Sequence, residues 1–525
     1  MAFWRRYPSG EIPPPLSRNL ISYLGWALSF SVATLIIVLT AANFLMFRGN
    51  PYSSLVTYLV LPGILAFGVG LILFGVYLEW RRRHKTAPGV YPPLPVIDVN
   101  QGWQRRRLAI GLVLITLFFG LSAIGTYQAY QFTESPSFCG QVCHQVMHPE
   151  FAAYHYSPHA RVSCTACHIG SGAKWYVKTK LTGLGQVWAV LTHSYELPIQ
   201  TPVANLRPAR QTCEECHWPE KFSDSLEKVI WHFASDQVNT AYRYNLLLKV
   251  GGGSPELGLG RGIHWHISSG VAIRYWARDR QRLDIPWVEV TMGQTPPRVY
   301  RSADCPDPLP QDAEIRTMDC IDCHNRPSHI YRSSLQLIDD SMAHAVLNVS
   351  LPYLKRNAAE VLAESYPNTP AALKAIADTL GAKYRNVQQG PRGRELVDQN
   401  IAMLQTLYQR NFFPDQKVDW RQYPNHIGHY EFPGCYRCHN DRHQSADGHK
   451  ISNDCELCHE FVDQAEGVAA YGPVAYRKGE YRHPLNMPDI WRGHNCTDCH
   501  GPSATTPAVA AKPEQAALAV GKSSP

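Results

Sequence analysis

C-T-A-C-H at residues 164–168 and C-E-E-C-H at residues 213–217 are two copies of a motif that recurs through the last three quarters of this chain. Six copies have the regular C-x-x-C-H form, and a seventh, C-G-Q-V-C-H at residues 139–144, has one extra residue between its cysteines. Two thiols a short turn apart can form the two thioether bonds of a c-type haem, and the histidine that follows is placed to ligate the iron. The sequence therefore predicts seven covalently bound haems.

The seven motifs use 14 of the 15 cysteines, and only Cys305 has no assigned role. The predicted attachment residues are Cys139, Cys143, Cys164, Cys167, Cys213, Cys216, Cys320, Cys323, Cys435, Cys438, Cys455, Cys458, Cys496 and Cys499. The iron ligands predicted beside them are His144, His168, His217, His324, His439, His459 and His500.

Zinc and disulfide bonds explain this pattern less well. Structural zinc also uses C-x-x-C, but it closes a four-ligand site from two half-sites and does not require a histidine after every second cysteine. A disulfide framework belongs to an oxidising compartment and does not require the histidines either. The net charge of +7 does not indicate nucleic-acid binding, because the propionates of seven haems more than cancel it.

Three apolar runs, at residues 20–47, 56–79 and 108–131, are long enough to span a bilayer, which takes about 20 residues. Arginines cluster before the first run and between the second and third, at residues 81–83 and 105–107. By the positive-inside rule these segments are cytoplasmic, so the third span delivers the haem motifs to the outer side. The expected location is the bacterial inner membrane with a periplasmic haem region.

The motif positions divide the chain into five parts. We expect a three-helix membrane anchor at 1–131, a trihaem region at 132–222, a β-containing insertion at 223–310, a helical tetrahaem region at 311–500 and a disordered tail at 501–525. The predicted fold class is thus a mainly α multihaem cytochrome c with three N-terminal transmembrane helices and a small β insertion.

The second axial ligand of each iron must come from outside the motifs. Histidine on both faces of a haem excludes substrate and favours electron transfer. The distal candidates are His159, His232, His264, His266, His329, His443, His449 and His494. Met147 is a further candidate at the first haem, although on a helix it shares a face with His144 and competes with it, or it packs on the porphyrin.

Residues 107–217 resemble the NapC/NirT/NrfH family of membrane-anchored, quinol-oxidising cytochromes c. The shared pattern is a transmembrane helix, then Cys139…Cys143-His144 with a nearby Met147, then a segment with His159 that leads into C-T-A-C-H at 164–168. The whole chain is most similar to heptahaem inner-membrane cytochromes of metal-reducing bacteria. The resemblance implies that menaquinol is oxidised at the first haem, where the motif-neighbouring methionine is a candidate ligand, and that electrons pass outward along the haems.

The resemblance also implies a quinol site where the third span meets the first haem. Residues 173–191 read as an amphipathic interfacial helix, and the family places a lysine of this stretch beside the quinone. No Asp or Glu occurs from residue 169 to 195, so the acidic partner typical of the family is missing there. The candidates for the quinol site are Lys178, Lys180, Gln186, Glu134 and His148.

The expected function is a menaquinol dehydrogenase that draws on the quinone pool and reduces a periplasmic c-type cytochrome or a reductase. One alternative is a membrane-anchored terminal reductase, which requires a haem with an open face. A second is a haem conduit fed by a partner subunit, without a quinone site of its own.

Overall fold

The structure is a computed structural model. It describes residues 5–6, 15–45, 61–85, 90–91, 100–142, 144–170, 173–203, 206–222, 224–252, 262–484 and 494–502. Cys143 and the predicted tail from residue 503 onward lie outside these residues. The chain divides into two compact units, one of residues 1–134 and 169–185 and the other of residues 135–168 and 186–525.

The first unit is built on three long helices: α1 (Leu20–Leu45), α2 (Leu61–Arg83) and α3 (Gly102–Glu134). A two-residue ladder, β1 (Arg5–Arg6) with β2 (Val90–Tyr91), also belongs to it. Among the described residues, two helical segments are long and apolar enough to cross a membrane, Leu20–Val38 and Leu61–Arg83. The third predicted span lies inside α3, which is not one of these two, so three spans remain a prediction.

Polar side chains and glycines hold α1 against α2. The side-chain amide of Asn19 donates to the carbonyl oxygen of Gly75 (3.1 Å), and the Ser22 hydroxyl donates to that of Ile72 (3.2 Å). A Cβ added at Gly25 would lie 2.8 Å from the Gly68 carbonyl oxygen. Small residues and interhelical hydrogen bonds are the usual means of packing helices in lipid, where apolar burial gives no driving force.

The second unit contains two antiparallel sheets. The strands are β3 (Ser225–Phe233), β4 (Ala241–Lys249), β5 (Val271–Trp276), β6 (Trp287–Met292), β7 (Arg298–Arg301), β8 (Arg316–Thr317), β9 (Gln444–Ser445) and β10 (His459–Glu466). The three-stranded sheet has the order β10-β4-β3, and the five-stranded sheet has the order β8-β5-β6-β7-β9. The predicted β structure is present, but β8, β9 and β10 come from beyond residue 310, so the sheets are not confined to the predicted insertion.

The helices of this unit are short around the haem motifs and longer in the core. They are α4 (His144–His155), α5 (Cys164–His168), α7 (Ala209–Cys213), α8 (Cys320–Cys323), α9 (Ser334–Ala343), α10 (Leu354–Ala363), α11 (Thr369–Lys383), α12 (Pro391–Asn411) and α13 (Cys496–His500), while α6 (Ala173–Leu191) continues from the first unit. Helices α9 to α12 pack around one hydrophobic core. Its fully buried side chains include Ile338, Leu354, Leu362 and Leu404. This core lies in the part predicted to be helical. The fold as a whole is helix-rich with antiparallel sheets.

Candidate functional site

The regular motifs fold into single helical turns. In three of them the backbone N–H of the histidine donates to the carbonyl oxygen of the first cysteine: His217 to Cys213 (2.8 Å), His324 to Cys320 (2.8 Å) and His439 to Cys435 (3.0 Å). Such a turn brings residues three and four positions apart onto one face. Both thiols and the histidine are therefore presented to the same side.

The first motif absorbs its extra residue in a π-helical turn, Phe138–Val142, directly before α4. One inserted residue typically produces this wider turn. A Cβ added at Gly140 would lie 2.0 Å from the Phe151 ring. The side chain of Phe151, on α4, therefore packs directly against the backbone of Gly140 in the first motif. Met147 lies three residues after His144 in α4. The structure describes the backbone of His144 but not its side chain.

The histidine that ends each of the other six motifs faces a second histidine. The ring centroids are 6.3 Å apart for His168–His329, 6.1 Å for His217–His159, 6.2 Å for His324–His264, 5.8 Å for His439–His266, 6.2 Å for His459–His429 and 6.4 Å for His500–His483.

This spacing fits an iron bound between two imidazoles. A metal–imidazole bond is about 2 Å long, and the ring centroid lies about 1 Å behind the nitrogen, which places the two centroids about 6 Å apart. Within the described residues, no three or more His, Cys, Asp and Glu side chains form a group that could hold a metal ion. Two imidazoles at this spacing suit an iron whose other four ligands come from a porphyrin.

Hydrogen bonds orient five of these rings. The Nδ1–H groups donate to backbone carbonyl oxygens: His159 to Pro327 (3.2 Å), His329 to Glu150 (3.1 Å), His264 to Val250 (2.6 Å), His266 to Ile263 (2.7 Å) and His439 to Ser452 (2.9 Å). A proton fixed on Nδ1 leaves the Nε2 lone pair available to a metal, which is the usual arrangement around a ligating histidine.

Burial also favours the neutral ligand form. It lowers the pKa of His168, His266, His324, His459 and His500, and in each case the facing histidine lowers the pKa further. A charged imidazolium has no lone pair for a metal. These rings are therefore neutral near pH 7, as iron ligation requires.

Four of the predicted distal histidines do not face a motif histidine in the described contacts. His443 uses both ring nitrogens, since Nε2 donates to the Ile285 carbonyl (2.6 Å) and Nδ1 contacts the Asn440 side chain (2.9 Å). His232 contacts Asp339 (3.1 Å) and the Tyr430 ring (5.2 Å between centroids), and it lies near enough to His500 to lower the pKa of that ring, but no direct ring contact joins the two histidines among the described residues. The side chains of His449 and His494 are more than half exposed and lie near Asp447 and Asp498.

Two facing histidines, His429 and His483, were not among the sequence candidates. His429 precedes the fifth motif by six residues but faces the histidine of the sixth. His483 lies between the sixth and seventh motifs, where His494 is much nearer to Cys496 in the chain. Proximity in sequence was the available signal, and in both regions the ring that faces the motif histidine belongs to a residue farther away in the chain.

The attachment cysteines of successive motifs are neighbours in space. Cys139 raises the pKa of Cys164, and Cys213 raises that of Cys320, so the thiols within each of these pairs lie close together. The remaining neighbours lie close enough to interact electrostatically: Cys167 with Cys213 and Cys216, Cys323 with Cys435, Cys435 with Cys458, and Cys455 with Cys496. From the first motif to the seventh, each site is next to the one that follows it in the chain.

A buried ionic cluster fixes the fourth motif to the five-stranded sheet. Asp322, between the two cysteines of that motif, is 1% exposed. One of its carboxylate oxygens accepts hydrogen bonds from Tyr275 (2.6 Å), Arg282 (2.8 Å) and Arg316 (2.7 Å). A buried carboxylate is tolerated when charged and polar partners surround it in this way.

In the first unit, the quinol-site candidates Lys180 and Glu134 form an ion pair with 2.6 Å between Nζ and Oε1. Lys180 also lies 3.5 Å from the Thr133 hydroxyl, to which it donates. Lys178 instead lies over the ring of Trp175, 5.0 Å from its centroid. Of the other candidates, Gln186 is exposed on α6, and His148 packs edge-on against Phe413 in the second unit.

Comparison with known proteins also points to a c-type cytochrome. Residues 103–202 match the N-terminal region of the NapC/NirT cytochrome c family. The chain is 43% identical over 489 residues to the cytochrome c-type protein ImcH of Geobacter sulfurreducens, which covers 92% of the chain and 95% of that protein. No solved structure matches the chain.

Proposed function

Since the chain belongs to the NapC/NirT family of c-type cytochromes, which carry electrons on covalently bound haem c, we propose that it binds seven haems and oxidises menaquinol at the membrane surface. Its electrons then go to a periplasmic cytochrome or reductase. The observation that carries the proposal is the set of six facing histidine pairs, each beside its own pair of attachment cysteines.

These pairs name the residues that would hold each iron. Each motif histidine would bind one iron together with the histidine that faces it, which for the second to seventh sites is His329, His159, His264, His266, His429 and His483 in that order. At the first site, α4 sets His144 and Met147 one turn apart on the same helix. Because two ligands on one face cannot bind opposite sides of one iron, one of the two is the ligand and the other packs against the porphyrin.

The ligand sets favour electron transfer. Each bound haem supplies a one-electron iron couple. The protein contributes neutral imidazoles, five of which have Nδ1 held by a backbone carbonyl, so the geometry of these ligands would change little between oxidation states. Since the attachment cysteines adjoin in chain order, the sites form a single row that begins at residues 139–144 and ends at residues 496–500.

For the quinol site we propose the ion pair of Lys180 and Glu134. Oxidation of a quinol releases two protons, and the Glu134 carboxylate can accept one from a quinol hydroxyl while the Lys180 ammonium group holds that carboxylate in place. Glu134 supplies the acidic group that α6 lacks. The pair lies at the C-terminal end of α3, where the predicted third span ends.

The exposed face of α6 supports binding at the membrane surface. Leu181, Leu184, Trp188 and Leu191 follow one another at intervals of three or four residues and are 64%, 66%, 68% and 71% exposed. An apolar stripe of this kind, with lysines beside it, is typical of a helix that lies in the headgroup region. We propose that α1, α2 and α3 all cross the inner membrane and that the second unit is periplasmic.

The reductase alternative requires an iron with an open face. Six of the seven sites have histidines on both sides, so only the first site is a candidate for substrate binding, and there the proposed substrate is quinol.

An experiment distinguishes a quinol dehydrogenase from a haem conduit that a partner subunit feeds. Purified protein in detergent is mixed with a reduced menaquinone analogue, and the haem c α-band is recorded with time. Reduction that a quinone-site inhibitor blocks supports the proposal, whereas absence of reduction in fully haem-loaded protein favours a conduit.

A further inference from the structure

Tyr430 makes the seventh site different from the others. Its ring stacks on that of His500, with centroids 4.6 Å apart and 22° between the planes, and its hydroxyl lies 3.2 Å from His500 Nδ1. Among the described ligand histidines, the other Nδ1 atoms with a partner lie beside backbone carbonyl oxygens, and His329 Nδ1 also lies 3.3 Å from the Glu150 carboxylate. His429 and His459 have buried Nδ1 atoms without a hydrogen-bond partner. A side-chain hydroxyl is the Nδ1 partner only at the seventh of these sites.

We propose that Tyr430 is a positioning residue that sets the reduction potential of the seventh haem through its hydrogen bond with His500. The inference rests on the proposed seven-haem assignment. An imidazole that ligates iron through Nε2 in its neutral form carries a proton on Nδ1, so His500 donates and the phenol oxygen of Tyr430 accepts.

The direction of the effect follows from ligand basicity. An acceptor on Nδ1–H increases the electron density that the imidazole gives to iron and so stabilises the ferric state. Loss of the acceptor makes the ligand less basic and raises the potential. The ring stack is a separate contact, since phenylalanine retains it and removes only the oxygen.

The position of Tyr430 also couples two neighbouring sites. His429, the residue before it, faces His459 of the sixth motif, while Tyr430 contacts His500 of the seventh. The thiols of Cys455 and Cys496, which belong to these two motifs, are neighbours as well. One dipeptide therefore contacts the last two members of the row, where the potential difference decides how far electrons move toward the terminal site.

The test is a spectroelectrochemical titration of full-length Tyr430→Phe, with haem content measured by mass spectrometry and spin state by electron paramagnetic resonance. We expect seven haems, unchanged low-spin signals at the six paired sites, and one midpoint potential shifted upward relative to the unmodified protein. Tyr436→Phe is the matched control. The Tyr436 ring stacks on His429 at 4.4 Å, and in the described part of the chain its hydroxyl makes no hydrogen bond to a ligand histidine. It should leave all potentials unchanged.

Two results would overturn the proposal. In the first, Tyr430→Phe keeps all its haems and all its potentials. In the second, it loses a haem or gains a high-spin signal, which would make Tyr430 a structural support of the site. Reduction of the unmodified protein by the menaquinone analogue tests the quinol proposal separately, because the titration uses chemical reductants.

Discussion

The imidazole rings of His264 and His324 lie parallel, with 1° between their planes and 6.2 Å between their centroids. His264 belongs to a short turn, Ile263–Ile267, that also carries His266, and the latter faces His439. One turn thus faces the motif histidines of both the fourth and the fifth motifs.

His264→Ala should open one face of the fourth haem. We expect one of the low-spin haems to become high-spin and the ferrous protein to bind carbon monoxide at one additional site, because alanine offers no ligand atom. The measurement is electron paramagnetic resonance together with carbon monoxide difference spectra. The control is His449→Ala, which removes an exposed histidine that the sequence also offers as a distal candidate, and it should leave both spectra unchanged. Equal spectra for the two variants would contradict the assignment of His264 to the fourth haem.

The seventh site separates the tertiary assignment from the one based on sequence spacing. His483→Ala should produce a high-spin seventh haem, whereas His494→Ala, whose side chain is exposed beside Asp498, should keep every site low-spin. Electron paramagnetic resonance and carbon monoxide difference spectra of the two variants distinguish the two assignments. The reverse result would show that the histidine nearest to the motif is the ligand.

Glu134→Gln should slow the reduction of the haems by a menaquinone analogue roughly 100-fold, as expected when a positioned general base is lost. Chemical reduction by dithionite should be unaffected. Lys178→Gln is the control, because Lys178 contacts Trp175 and not the carboxylate, and its rate should stay within a few-fold of normal. A Glu134→Gln protein with a normal quinol rate would remove Glu134 from the mechanism.

Gly140→Ala should disturb the first haem site. The added Cβ would lie 2.0 Å from the Phe151 ring, and relief of such an overlap in a packed region typically costs about 1–3 kcal/mol. We expect protein with six haems in part of the population, detected by intact-mass spectrometry. Gly183→Ala, where a Cβ meets nothing within 4 Å among the described residues, should retain the normal mass, and Phe151→Leu combined with Gly140→Ala should restore haem content at least partly.

His426 should make the protein sensitive to acid. Burial, followed by the positive charge of Arg437, lowers the pKa of His426 to about 4. His426 Nδ1 lies 3.1 Å from both the Arg437 guanidinium and the Asp322 carbonyl oxygen, and Nε2 lies 3.0 Å from the Gln281 carbonyl oxygen, so the neutral ring already has a polar partner at each nitrogen. Between the unfolded pKa of about 6.5 and pH 4 only the unfolded chain takes up this proton, which lowers stability by about 3 kcal/mol as the pH falls.

The corresponding measurement is the melting temperature of the haem-loaded protein from pH 7 to pH 4. His426→Gln should show a shallower decline over that range, although it is less stable at pH 7. An exposed control, His344→Gln, should follow the unmodified profile. Parallel declines in all three proteins would mean that other groups dominate the acid response.

Local chemistry made part of this structure predictable. The thiols and the proximal histidine of each haem motif are close in sequence, so their turn is fixed by a few hydrogen bonds within it. The helix Ala173–Leu191 and the strands from Ala241 to Arg301 also follow from local periodicity. The apolar runs likewise marked the helices Leu20–Leu45 and Leu61–Arg83.

Tertiary structure alone decides which histidine faces each of the last six motif histidines. His329 follows the fourth motif but faces His168 of the second, and His429 precedes the fifth but faces His459 of the sixth. No spacing rule links these residues, because a ligand reaches an iron through the packing of separate segments. Burial and a carbonyl acceptor for Nδ1 favour an imidazole that presents an Nε2 lone pair, whereas both ring nitrogens of His443 have hydrogen-bond partners.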